Sequence, residues 1–254
     1  MDLNLKGKRA LITGGSRGIG RAIARALLAE GASVGICARD EQKLSQAAGE
    51  LGEQGGTVFH RSLDVADSAA LTAFVEEAAQ ALGGLDIVVA NASASVGEGP
   101  DAWLNNFQTD LMSLVTLIEA ATPHLERSGA GSVIAIASTS ALEAGILPTA
   151  NSFGALKAAM LQHVSAQARQ LGPKGIRVNA VSPGPVYFEG GVWDNIRASI
   201  PPLFEGAVGA TALGKLASDE DVATAVTFLA APVAGQITGT NLVIDGGFTN
   251  RFDY

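Results

Sequence analysis

The residues best suited to chemistry lie in "TGGSRGIG", positions 13 to 20, directly after the apolar run "RALIT" and directly before "RAIARALLAEG". Glycines at 14, 18 and 20 let the backbone turn sharply and let a ligand approach it closely. A helix that starts there offers unpaired N–H groups and the positive end of its dipole, an arrangement suited to a pyrophosphate. Glycines beside a strand also arise from turn chemistry alone, but a strand before and a helix after select the phosphate cradle. Further on, "PTANSFGALKAAM", residues 148 to 160, carries one lysine, Lys157, one helical turn after Phe153. Such a pair shares a helix face. It marks either a reaction centre or core packing.

The rest of the chain supplies the elements that must position these side chains. Apolar runs at 9–13, 33–37, 57–60, 85–90, 131–137, 176–182 and 241–245 alternate with longer Ala-rich segments of helical period. Strands joined by helical crossovers make a mostly parallel sheet buried on both faces, so the fold class is α/β, doubly wound and Rossmann-like. Gly31 closes the first helix, and Ser218 with Asp221 offers a capping pair for a late one. Asp64, Asn91, Ser138, and Pro183 with Gly184 follow the third to sixth strands. In an open parallel sheet those ends share one edge, where ligands bind. Between 182 and 217 the chain is irregular and rich in Gly and Pro, and its stretch at about 185–215 is a candidate substrate-covering loop/helix segment. The alternative is a surface loop whose aromatics pack on the body.

Composition excludes several classes of function. The chain has 254 residues, 47% hydrophobic and 17% charged, enough for one sizeable core and one domain over 1–254. With 17 basic against 25 acidic residues and net charge −8, it lacks the basic footprint that nucleic acid or an anionic membrane requires. Its single cysteine, Cys37, lies in an apolar run and fits a reducing cytoplasm. The start "MDLNLKGKRALIT" does not read as a signal peptide, and no apolar stretch reaches the roughly 18 residues of a membrane span. No metal site is expected.

Taken together, the chain resembles the short-chain dehydrogenase/reductase family over essentially its whole length. The resemblance rests on Thr13-Gly14-x-x-x-Gly18-x-Gly20, Asp64-Val65, "NAS" at 91 to 93 where the family usually has Asn-Ala-Gly, Ser138, Lys157, "SPGPV" from 182, and "ITGTNLVIDGG". It implies a seven-stranded parallel sheet with helices on both faces, a homodimer or homotetramer built through the long helices and last strand, and a small carbonyl or alcohol substrate. It also implies a nicotinamide dinucleotide held by Gly14, Ser16, Arg17, Gly18, Ile19, Gly20, Arg39, Asp64, Val65, Asn91, Ala92, Lys157, Pro183, Gly184 and Val186. In NAD enzymes of this fold an acidic residue ends the second strand, whereas here Ala38 and Arg39 stand there. A cation suits a 2′-phosphate, and Arg17 could add a second, so NADP(H) is favoured with NAD(H) open. Asp40 could pair with Arg39 and weaken that preference.

The resemblance assigns Ser138 to hold the substrate oxygen and Lys157 to grip the ribose and activate a tyrosine. Two positions depart from the family. Asp110 stands where an asparagine is usual, and its charge favours a protonated lysine. Phe153 stands where the family has its proton-donating tyrosine, and Tyr187, Tyr254 and His163 are no obvious replacements. Ser138 and Phe153 are 15 residues apart, which implies a small insertion in "TSALEAGILPTA". Phe188 replaces a usual threonine, and with Val192, Trp193, Leu203 and Phe204 it suggests an apolar pocket wall, a core cover or an oligomer contact. The chain is therefore expected to be an oxidoreductase interconverting a ketone and a secondary alcohol, impaired by Phe153, which is either an engineered replacement of tyrosine or a natural variant. The alternative is a cofactor-binding protein without turnover.

Overall fold

The computed structural model describes residues 2–144 and 151–250. Seven parallel strands form one sheet in the order β3-β2-β1-β4-β5-β6-β9. They are β1 (Arg9–Thr13), β2 (Ser33–Ala38), β3 (Val58–Ser62), β4 (Ile87–Ala90), β5 (Ser132–Ile136), β6 (Arg177–Pro183) and β9 (Asn241–Ile244). The order reverses between β1 and β4, which opens a crevice at their carboxyl ends. The short strands β7 (Val186–Tyr187) and β8 (Ala217–Ser218) pair separately.

Side chains alternate between the two faces of each strand, and the core divides accordingly. Ala10, Ile12, Val34, Ile36, Ile87 and Val89 pack under α1 (Gly18–Ala29), α2 (Glu41–Gly52) and α9 (Asp219–Ala230). Leu11, Cys37, Val88, Val133 and Ala135 face α3 (Ser68–Leu82), α5 (Ser113–Ser128) and α6 (Asn151–Leu171). Burial in that layer pushes the Cys37 thiol up to about 12, so it stays protonated. Gly31 adopts φ +81° just past α1, and Ser218 with Asp221 forms the reciprocal cap of α9.

The third strand runs two residues beyond the apolar run, through Arg61 and Ser62, because it is an edge strand with a wet face. The segment 182–217, irregular by composition, is half helical: α7 (Val192–Ser199) and α8 (Pro201–Ala210) lie between β7 and β8. Pro201 and Pro202 open α8, where a missing N–H is harmless. The remaining helix, α4 (Gly99–Asn106), runs into a π-helical turn (Phe107–Met112) that leads to α5.

Candidate active site

The glycine turn joins β1 to α1 at the crevice. Gly18 has φ +51°, and a Cβ there would meet the ring of Phe188 at 2.5 Å. A Cβ on Gly20 would overlap the carbonyl oxygen of Gly14 and reach Asn91 Nδ2 at 2.5 Å. Asn91 clamps the turn: its Nδ2 donates to Thr13 O at 2.9 Å and Gly14 O at 3.2 Å. No side chain caps the first turn of α1, so its leading N–H groups remain for a ligand. A groove of about 520 Å³ runs from this turn past Ser16, Ile19, Arg39, Asp64, Val65 and Ala92.

Three cations border the groove and differ in commitment. Asp40 does not neutralise Arg39: its carboxylate accepts from Lys43 N at 3.0 Å and pairs with Lys43 Nζ at 3.2 Å. Among the described residues Arg39 has no carboxylate partner. Arg17 instead donates to Gly190 O at 3.2 Å, tying the glycine turn to the loop before α7. A backbone cradle that a Cβ would fill, an uncapped helix start and an unpaired cation at the end of β2 all fit a dinucleotide.

A second cavity, about 340 Å³, continues from the groove and shares Ile19, Asn91, Ser93, Ser95 and Phe188 with it. Ser138, Phe153, Lys157, Pro183, Gly184 and Val186 line it, together with Val192 and Trp193. Leu203 and Phe204 do not. Phe204 packs edge-on against Tyr187 with ring centroids 6.0 Å apart, over a separate depression. Ser138 Oγ accepts from Ser140 N at 3.1 Å, which leaves its O–H to donate.

Lys157 is 2% exposed and Asp110 1%. Lys157 Nζ lies 3.0 Å from Asp110 Oδ1, donates to Ile136 O at 2.8 Å, and sits 5.5 Å from the centre of the Phe153 ring. The π-helical turn carries Asp110, and such turns recur at functional sites. Burial pushes the Asp110 carboxyl up, but attraction to Lys157 and hydrogen bonds from Asn106 and Ser93 outweigh it and hold it below its ordinary value. Asp110 is therefore a buried carboxylate set against the Lys157 side chain.

Among the described residues no other ring supplies the missing hydroxyl. Tyr187 Oη donates to Asp194 Oδ1 at 2.9 Å, under the Arg197 guanidinium. His163 does not line the cavity, and burial lowers its imidazole below the usual value against the pull of Glu119. Tyr254 and residues 145–150, where part of the inferred insertion falls, lie outside the described residues. The sequence did not reveal Asn106, whose Nδ2 donates to Asp110 Oδ2 at 3.0 Å. Its place one helical turn before Asp110 was the available signal. Among the described residues no group of three or more His, Cys, Asp or Glu gathers as a metal would require, and no helix is long and apolar enough to cross a membrane.

A doubly wound sheet with a glycine cradle at its switch point defines a dinucleotide-binding α/β protein. Residues 14–249 match the family described as "Enoyl-(Acyl carrier protein) reductase", and the chain belongs to the short-chain dehydrogenase/reductase family. Isoepoxydon dehydrogenase patN of Aspergillus clavatus is 40% identical over 252 residues, covering 96% of this chain and 95% of that one. The structure of L-sorbose reductase from Gluconobacter frateurii, complexed with NADPH and L-sorbose, superposes with a TM-score of 0.90 at 28% identity, covering 99% of this chain and all of that one (100%). A short chain dehydrogenase from Burkholderia cenocepacia in complex with NADP gives a TM-score of 0.85 at 32% identity, covering 96% of this chain and 98% of that one.

Proposed function

We propose that the protein is an NADP(H)-preferring oxidoreductase that interconverts a ketone and a secondary alcohol by direct hydride transfer, slowed by Phe153 at the proton-donor position. The observation that carries this reading is the meeting of Ser138, Phe153 and Lys157 in a cavity continuous with the cradle groove. Bound along groove and cavity, a nicotinamide dinucleotide supplies the hydride. Ser138 donates its O–H to the substrate oxygen. Lys157 is held ready for the ribose by Asp110 and the Ile136 carbonyl. Phe153 has no proton to give, and general acid help is typically worth about 10²–10⁴ in rate, roughly 3–5 kcal/mol of barrier.

Arg39 supports the NADP preference, as do the NADPH and NADP bound to the two solved relatives. A serine edge, Ser93, Ser95 and Ser138, against an apolar wall of Val192 and Trp193 supports a small oxygenated substrate. We assign the remaining cofactor contacts to the groove residues given above, and the cover to α7 and α8 of a single domain over 1–254. A cytoplasmic homodimer or homotetramer completes the proposal, with the exposed Trp103, Leu104 and Phe107 supporting self-association.

One observation favours cofactor binding without turnover: the Lys157 charge already has its counter-ion in Asp110. Turnover of Phe153→Tyr decides between the two readings. On a panel of ketones and secondary alcohols, kcat is expected to rise at least about 10²-fold, and Ser138→Ala to cancel most of the gain. A tyrosine form that binds NADPH yet is no faster on any substrate would establish the binding protein instead.

A further inference from the structure

Asn106 is 1% exposed and has no part in the proposed reaction. Its Nδ2 donates to Ser95 O at 3.0 Å and to Asp110 Oδ2 at 3.0 Å, while its Oδ1 accepts from Ser152 Oγ at 2.8 Å. These partners surround the cavity. Ser95 lines both groove and cavity, Asp110 holds Lys157, and Ser152 precedes Phe153 at the start of α6. Ser95 has φ +68°, one of two non-glycine residues with positive φ among those described. A side chain disfavours that conformation, which persists where the surroundings impose it. Three contacts impose it here: Asn106 on the Ser95 carbonyl, Ser95 N donating to Ser93 Oγ at 3.2 Å, and Ala94 N donating to Asp110 Oδ2 at 3.3 Å.

We propose that Asn106 is a positioning residue of the cofactor site: by donating both amide hydrogens it fixes the turn at 93–95 and aims Asp110 at Lys157. The proposal rests on the reading that a dinucleotide binds there. The donors are what matters, since Asn106 fills a space that an aspartate would fill equally well. A carboxylate at 106 would have nothing to donate and would face Asp110 Oδ2 as a like charge. Among the described residues the charged group paired with Asp110 is Lys157 from α6. Ser93 and Ser95 from the turn and Ser152 from α6 are neutral.

The test is titration of NADP⁺ against the parent and Asn106→Asp from pH 5.5 to 8.5, read as the ratio of the two affinities so that the ligand's own phosphate titration cancels. At pH 8 the variant is expected to bind at least about tenfold more weakly, the effect of leaving buried hydrogen-bonding groups unpaired. The ratio should return toward one as pH falls, because a proton shared by the two carboxyls restores a donor. A ratio within about twofold at every pH, or one that does not change with pH, would overturn the proposal. If the parent itself binds no NADP⁺, the cofactor reading fails, and amide exchange in the 91–106 segment decides the inference instead. Exchange at pH 8 at least about tenfold faster in Asn106→Asp than in the parent supports it, and equal exchange overturns it. Should Asn106→Asp not fold, Asn106→Leu, which removes both donors without adding a charge, takes its place: exchange in the 91–106 segment at pH 8 at least about tenfold faster than in the parent supports the proposal, and equal exchange overturns it.

Discussion

Phe153 places carbon where the proposed reaction needs an acidic proton, while Ser138 and Lys157 remain in the same cavity. The Asp110 charge beside Lys157 limits how far that ammonium could lower a phenol at 153, which sets the expected gain of Phe153→Tyr at the low end of general acid catalysis. Arg39 decides cofactor choice at the same scale. A charge-assisted contact to a 2′-phosphate is worth roughly 1.5–3 kcal/mol, so NADPH is expected to bind at least about tenfold more tightly than NADH. Titration of both cofactors against the parent and Arg39→Asp checks it, and equal affinities in the parent would remove the assignment. Arg17→Ala is expected to leave the ratio intact, because its guanidinium is turned to Gly190.

Between β1 and α1 the three glycines are not equivalent. The neighbour a Gly20 side chain would strike first is backbone, the Gly14 carbonyl, and the Asn91 clamp leaves that carbonyl no room to retreat. Gly20→Ala is therefore expected to abolish NADP⁺ binding and lower Tm. At Gly18 the obstacles are the left-handed backbone, φ +51°, and the Phe188 ring, of which only the ring can swing away. Gly18→Val should weaken binding while the protein stays folded, and adding Phe188→Ala should recover part of the loss. Calorimetry with melting curves separates the two cases. Identical behaviour of the two glycine variants would show that close packing in the turn does not decide binding. The α7–α8 cover illustrates a weakness of composition as a guide. Gly and Pro read as irregular chain, yet Pro at the first positions of α8 suits a helix start.

At the scale of the molecule, the edge of the sheet opposite the site is tied by Asp86. This side chain is 3% exposed and accepts from Arg9 Nε at 2.7 Å, Arg9 Nη2 at 3.0 Å and Ser128 Oγ at 2.6 Å, joining β1, the start of β4 and the end of α5. Burial pushes its carboxyl up, but the hydrogen bonds from Arg9 and Ser128 and the Arg9 charge prevail and hold it below its ordinary value. A carboxyl whose folded pKa lies below its unfolded value of about 3.9 stabilises fully above that pH and loses its contribution as pH falls through the folded value. Asp86→Ala is expected to lose about 3 kcal/mol at pH 7, with the gap to the parent narrowing below about pH 4 and NADP⁺ affinity unchanged. Urea melts at pH 7 and pH 3 measure it, and a gap equal at both would refute the ionic account.

The sequence was sufficient for the alternation of strands and helices, the parallel sheet, the glycine turn and the Lys157 helix, because each is written in neighbouring residues. Buried parallel strands demand apolar runs, crossovers demand helical period, and a phosphate cradle demands glycines within a few positions. It also placed Asp64, Asn91, Ser138 and Pro183 at one edge, since strand ends in such a sheet have only one place to go. The contacts that tune the site were decided by the tertiary structure. Asp110 meets Lys157, Asn106 holds Ser95 in a left-handed turn, Arg17 is drawn to Gly190, and Phe188 lies on Gly18. Most of these pairs join residues far apart along the chain, and their partners are chosen by packing and by the need to pair buried polar groups, conditions that exist only once the sheet and its helices have closed around them.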